Sequence, residues 1–188
     1  MQILILELAL FVATHLIPAR PALRDALVRR LGGVGYRAAF GVVALIGFVL
    51  IVYGYGLAHA QGVLVLYYPP AWPRHIAMLL LLIAFILLPA AYLPGKIKAT
   101  VKHPMLVAVK TRAFAHLLVN GDAASLVLFG TFLAWAVYDR ISLKHRPAPA
   151  PVKGAVRNDI LAVVIGVIVY AAFVWKLHLW LIGVPVIA

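Results

Sequence analysis

KHPMLVAVKTRAFAHLLVNGD, residues 102–122, packs two histidines, two lysines, an arginine and an aspartate into one short apolar segment. On a helix turning by about 100° per residue, His103 and Lys110 share one face, and Arg112 and His116 share another. A segment that is polar on two sides cannot lie against lipid, so it belongs inside a bundle. Pro104 fits the first position of such a helix. Asn120-Gly121-Asp122 makes a tight turn, and Asp122 is placed to cap the helix that follows.

The rest of the chain is mostly oil. Of its 188 residues, 65% are hydrophobic and 12% charged, where a soluble domain is about 45–50% apolar. Mean hydropathy is +1.06. So few charges cannot cover a soluble fold of this size, and lipid must solvate most side chains. The fold class is all-α and integral to the membrane. A net charge of +12 would suit nucleic acid if it formed a tract. It is instead distributed between apolar runs, the pattern of cytoplasmic loops, so no nucleic-acid partner is expected. With no cysteine, disulfides, thiolate haem ligation and Cys-bound zinc or iron–sulfur clusters are excluded. Five acidic residues are too few for a carboxylate-rich di-iron site.

Six runs approach the length needed to span about 30 Å of hydrocarbon: Ile3–Ile17, Ala38–Ala58, Ile76–Leu93, Pro104–Val119, Ala123–Tyr138 and Ile160–Ile182. Pro18 and Pro21 end the first, Pro94-Gly95 ends the third, and Asn158 or Asp159 can cap the sixth. The first run has no basic start and carries Glu7, which marks a retained helix rather than a signal peptide. Basic residues fill every second loop: Arg20, Arg24, Arg29, Arg30 and Arg37, then Lys96, Lys98 and Lys102, then Arg140, Lys144, Arg146, Lys153 and Arg157. The positive-inside rule makes this a six-transmembrane-helix bundle with the basic loops facing the cytoplasm and both termini on the outer side. The whole chain, 1–188, reads as one transmembrane domain. Pro21–Arg30 suits a basic helix on the inner surface, Leu31–Gly35 a turn, and Arg146–Gly154 an extended linker. Tyr67, Tyr68 and Trp72 suit the outer interface. Gly47 and Gly54 suit close packing of helix two on a neighbour.

Ionisable residues inside a membrane are costly, so each is a functional candidate. Glu7, His15, Lys110, Arg112, His116, Lys176 and His178 lie within the runs, with His59, His75 and His103 at their ends. Histidines in apolar helices suit b-type haem, which takes neutral imidazole, an apolar slot and cations for its propionates; Arg112 or Lys110 could meet the propionates. Each group also has a structural role open to it. A histidine can hold helices together by hydrogen bonding, Lys110 and Arg112 can snorkel, and Glu7 can pair with one of them. No hydrolytic triad, Gly-x-Ser-x-Gly, Walker A or dinucleotide motif is present.

Residues 95–122, GKIKATVKHPMLVAVKTRAFAHLLVNGD, and the following AASLVLFGTFLAWAVYDRISLK closely resemble the NnrU family of small bacterial membrane proteins. FVATHLIPARPALRDALVRRLG (11–32), YPPAWPRHIAMLLLLIA (68–84) and RNDILAVVIGVIVYAAFVW (157–175) extend the resemblance through most of the chain. It implies a role in nitrite and nitric oxide metabolism, with nitrite or nitric oxide reductase components as partners. The same domain resembles that of plastid 15-cis-zeta-carotene isomerase, in which b-type haem serves a redox-dependent double-bond isomerisation. That likeness implies His15, in VATHL, and His116, in FAHLL, as the axial pair. Arg112 departs from the apolar or aromatic residue of that pattern. Depth raises an alternative. His116 lies thirteen residues beyond His103, about 20 Å along a helix, so His15 is better matched to His103 than to His116. A non-enzymatic assembly or regulatory factor is the second class open. A membrane methyltransferase is the third, suggested by the His-Pro before a helix, but the polar tail that completes a methyl-donor site is replaced here by an apolar run.

Overall fold

The structure, a computed structural model, describes residues 1–145 and 154–186. Most of the expected linker, residues 146–153, therefore lies outside the described residues. The helices are α1 (Gln2–Leu16), α2 (Pro21–Ala60), α3 (Pro73–Ala90), α4 (Lys96–Val101), α5 (Pro104–Val119), α6 (Ala123–Lys144), α7 (Val156–Ala172) and, after a π-helical stretch at Phe173–Leu177, α8 (His178–Ile182). No strand occurs among the described residues.

The expected runs are helical, with different ends. Four helical segments are long and apolar enough to cross a membrane: α2, α3, α6 and the continuous Val156–Ile182. Two are shorter, α1 with 15 residues and α5 with 16. α6 continues six residues beyond Tyr138 to Lys144, because nothing after Tyr138 breaks a helix until the Pro-containing segment. α3 stops at Ala90, one residue after the internal Pro89 and before Pro94-Gly95. Within α2, Gly32 has φ 71 and ψ 163, outside the helical region. It separates a basic first segment from the long second one, where the sequence places a turn. Glycine is the residue that takes such a φ without a Cβ clash.

The helices pack in the order α2, α1, α6, α5, α3, α7, and α8 returns to touch α2. Two small-residue contacts set the spacing. Gly47 and Gly54 of α2 are buried against α1, where a Cβ would press on Phe11 and overlap the Glu7 carboxylate. Glu7 and Phe11 are four apart and the glycines seven apart in the reverse direction, as antiparallel neighbours require. Gly166 of α7 lies against the α3 backbone, where a Cβ would stand 2.6 Å from Ile86 Cα. Leu4, Leu8, Phe11, Ile51, Ala124 and Leu128 form one core, and Ala84, Leu87 and Ala108 a second.

The loops at each end are stitched together by hydrogen bonds. At the end away from the basic loops, Leu66 N–H donates to Gly121 O (2.8 Å) and Ala123 N–H to Leu64 O (2.9 Å). Tyr67 O–H donates to Leu117 O and Asn120 O. Asp122 accepts from Ser125 N–H at 2.8 Å, capping α6 as its position in sequence indicates. At the basic end, the expected cap of the last long helix is corrected. α7 has no side-chain cap. Asp159, four residues into α7, instead accepts from Lys96 N–H (2.9 Å) and Ile97 N–H (3.0 Å), and so caps α4 in another loop. Asn158 donates to Pro94 O at 2.7 Å. Both side chains reach across to the start of α4, whose own N-cap, Gly95, has no side chain to cap it.

Candidate functional site

His15 closes the last turn of α1. Its Nδ1 lies 2.8 Å from the carbonyl oxygen of Phe11, one turn back. A carbonyl only accepts, so Nδ1 carries the proton and donates, and Nε2 presents a lone pair. The imidazole is held in an aromatic box. It stacks on Phe11 at 3.9 Å between centroids and meets Phe40 of α2 and Trp135 of α6 edge-on, each at 5.3 Å. The ring is thus fixed in tautomer and orientation, the arrangement that metal-ligating histidines use.

The box opens into a pocket of about 360 Å³ at the basic end of the bundle. His15, Phe40 and Trp135 form one wall, and His103, Pro104 and Met105 from the start of α5 form another. Lys98, Lys102 and Asp139 line it as well. Lys98 donates to Ala91 O at 2.7 Å, which anchors its ammonium beside the end of α3. Lys102 is, among the described residues, the one non-glycine with positive φ (64°). That backbone, costly for a side-chain-bearing residue, turns the chain from α4 into α5 and sets His103 at the pocket. Trp135 Nε1 and, one turn from Phe40 on α2, Tyr36 Oη are buried without a hydrogen-bond partner.

The pocket therefore brings His15 and His103 together. His116 lies elsewhere, stacked on Phe129 of α6 at 4.2 Å with planes 6° apart. Phe129 and Trp135 are six residues apart, which is about 9 Å along α6. Arg112 and His178 lie within electrostatic range of His116. Lys110 is about 200° around α5 from Arg112 and lines neither the pocket nor the His116 neighbourhood. Glu7 faces Gly54 rather than Lys110 or Arg112, so the expected acid–base pair does not form. His59 approaches Asp122 at 3.4 Å at the opposite end of the molecule. Among the described residues, no cluster of three or more histidines or carboxylates could hold a bare metal ion.

Sequence reasoning missed Trp135, Phe40 and Lys98. A signal for the first was present: Phe129, Phe132 and Trp135 recur every three residues on α6, one aromatic stripe facing α1 and α5. Phe40 could not be placed, because its approach to His15 depends on the antiparallel packing of α2 on α1.

An all-helical membrane protein with an aromatic-walled histidine pocket at its basic end is the class these features define. The chain belongs to the NnrU family, whose profile, described as "NnrU protein", matches residues 3–186, nearly the whole chain. No curated protein and no solved structure gives a significant match.

Proposed function

We propose that this NnrU-family protein binds a b-type haem in the pocket between α1, α2, α5 and α6, with His15 as an axial ligand. The observation that carries the reading is the His15 imidazole itself: Nδ1–H donates to Phe11 O, the ring is clamped by three aromatics, and Nε2 is left as a lone pair beside a pocket. Residues already described support the rest of the reading. Phe40, Trp135, Pro104 and Leu106 give the pocket an apolar wall, and Lys98 and Lys102 offer cations for propionates. Trp135 Nε1–H is a buried donor whose missing acceptor costs about 1–3 kcal/mol, which an acceptor from outside the chain would relieve. Haem, when bound, would supply redox or Lewis-acid chemistry; the chain's part is to bind it, orient it and exclude water.

The second ligand has two candidates. His103 shares the pocket lining with His15, while the likeness to the carotene isomerase names His116. The proposed setting is a six-crossing protein of the bacterial inner membrane that supports nitrite and nitric oxide metabolism beside the reductases. Family membership supports this setting. The test is the absorption spectrum of protein purified from haem-replete cells. A Soret band is expected, lost in His15→Ala and lost or shifted to a five-coordinate form in either His103→Ala or His116→Ala, whichever supplies the second ligand. A colourless wild-type protein would overturn the proposal and favour an assembly or regulatory role.

A further inference from the structure

α5 has an inward face that does not line the pocket of His15 and His103. Phe114 is 49% exposed and marks the outer side of the helix. Ala108 and Ala115 are buried on one flank and Leu106 and Ala113 on the other. Residues two apart on a helix point about 200° away from each other, so Arg112 and His116, on either side of Phe114 in sequence, both project inward. Their neighbours bear this out: His116 stacks on Phe129 of α6, and α8 brings His178 into electrostatic range. Arg112 projects toward the bundle and keeps part of its surface accessible, so its guanidinium is not sealed among packed side chains.

That interior carries positive charge with nothing to balance it. The chain has five acidic residues, all of them among those described, and the segments outside contain none. None of them is paired with Arg112. Glu7 faces Gly54. Asp25 pairs with Arg24 on the surface. Asp122 caps α6 beside His59. Asp139 lines the pocket at the basic end, and Asp159 caps α4. Arg112 has no hydrogen bond or ion pair with any described residue. A guanidinium does not shed its proton in a protein, and an unpaired charge taken from water into a low-dielectric interior is strongly destabilising. A counter-anion from outside the chain would offset that cost.

We propose that Arg112, with His116 beside it, is an internal binding site for a carboxylate or similarly planar small oxyanion. The guanidinium presents a flat fork of donors that matches two coplanar oxygens, and His116 adds an N–H on the same face one turn away. Spherical or bulky anions meet that fork less well. Two sources share this chemistry: a free small carboxylate, or a propionate of the proposed haem.

The test measures the thermal unfolding midpoint of the full chain in detergent as acetate replaces chloride at constant ionic strength, for haem-free and haem-containing preparations. Wild type is expected to show a saturable rise. Arg112→Met should show none, and in acetate-free buffer should unfold no lower than wild type, since it removes an uncompensated charge. Arg112→Lys, which keeps the charge and loses the fork, should bind acetate about tenfold more weakly; it serves if the methionine variant does not fold. A response in both wild-type preparations identifies a free carboxylate as the occupant. A response confined to the haem-free protein identifies the cofactor's propionate. No saturable response in either preparation, or an equal response in Arg112→Met, overturns the proposal. A colourless protein would end the haem reading and leave this test fully readable.

Discussion

The contact between Glu7 and Gly54 gives the sharpest test of how α1 sits on α2. Glu7 is 8% exposed, its Oε2 has no hydrogen-bond partner, and a Cβ on Gly54 would overlap the carboxylate. Gly54→Ala alone should therefore overpack the interface and cost about 1–3 kcal/mol. Glu7→Ala alone exchanges two opposing effects. It loses the contacts of one methylene, about 0.8 kcal/mol, and removes a buried acceptor whose isolation costs about 1–3 kcal/mol, so it should be close to neutral or stabilising by up to about 2 kcal/mol. In the double variant the new methyl occupies space the carboxylate has left. Gly54→Ala should then cost under about 0.5 kcal/mol, which makes the coupling between the two sites about 0.5–3 kcal/mol and compensating in sign. Reversible unfolding in mixed micelles, followed by tryptophan fluorescence, measures all four corners of the cycle. Equal costs for Gly54→Ala in both backgrounds would refute the packing of these two helices as described.

Two further outcomes follow from the ends of the bundle. Asp159→Ala should destabilise by about 0.5–2 kcal/mol and raise amide exchange at Lys96 and Ile97, with Asp159→Asn milder because it keeps one acceptor; unchanged exchange at both amides would show that α4 is capped by something else. The chain contains no cysteine, so single-cysteine reporters read its orientation directly: Tyr68→Cys, at a residue 87% exposed in the α2–α3 loop, should react with an impermeant maleimide in intact cells, and Arg29→Cys, in the basic first segment of α2, only after lysis. The reverse pattern would sink the proposed orientation.

Hydropathy placed the helices because lipid demands long apolar runs and satisfied backbones, and both demands are local in sequence. Asp122 could be read as a cap for the same reason: the helix it serves begins at the next residue. Asp159 could not. By position it resembles a cap for α7, but its carboxylate serves Lys96 and Ile97, more than sixty residues earlier, and only the packing of α7 on α3 brings them together. The candidate site divides in the same way. His15 with Phe11 one turn back is local and legible. The meeting of His15 with His103, Phe40 and Trp135 depends on how four helices pack. Angular arithmetic did separate Lys110 from Arg112 and His116, and depth did match His15 to His103, because both rest on helix geometry alone.

The polar density of residues 102–122 has its explanation in how α5 is surrounded. A 16-residue helix rises about 24 Å, short of the hydrocarbon thickness, and it is flanked by α3 on one side and α6 on the other. Alanines at 108, 113 and 115 let those neighbours approach closely, so little of the helix surface is left for lipid to solvate. The outward strip is carried by Phe114, while Met105, Arg112 and His116 face inward and His103 stands at the mouth of the pocket. A helix kept in place by protein neighbours on its flanks can carry an arginine and a histidine that a lipid-facing helix could not hold without snorkelling. The charge that would count against this segment as a membrane span is what its enclosed position permits.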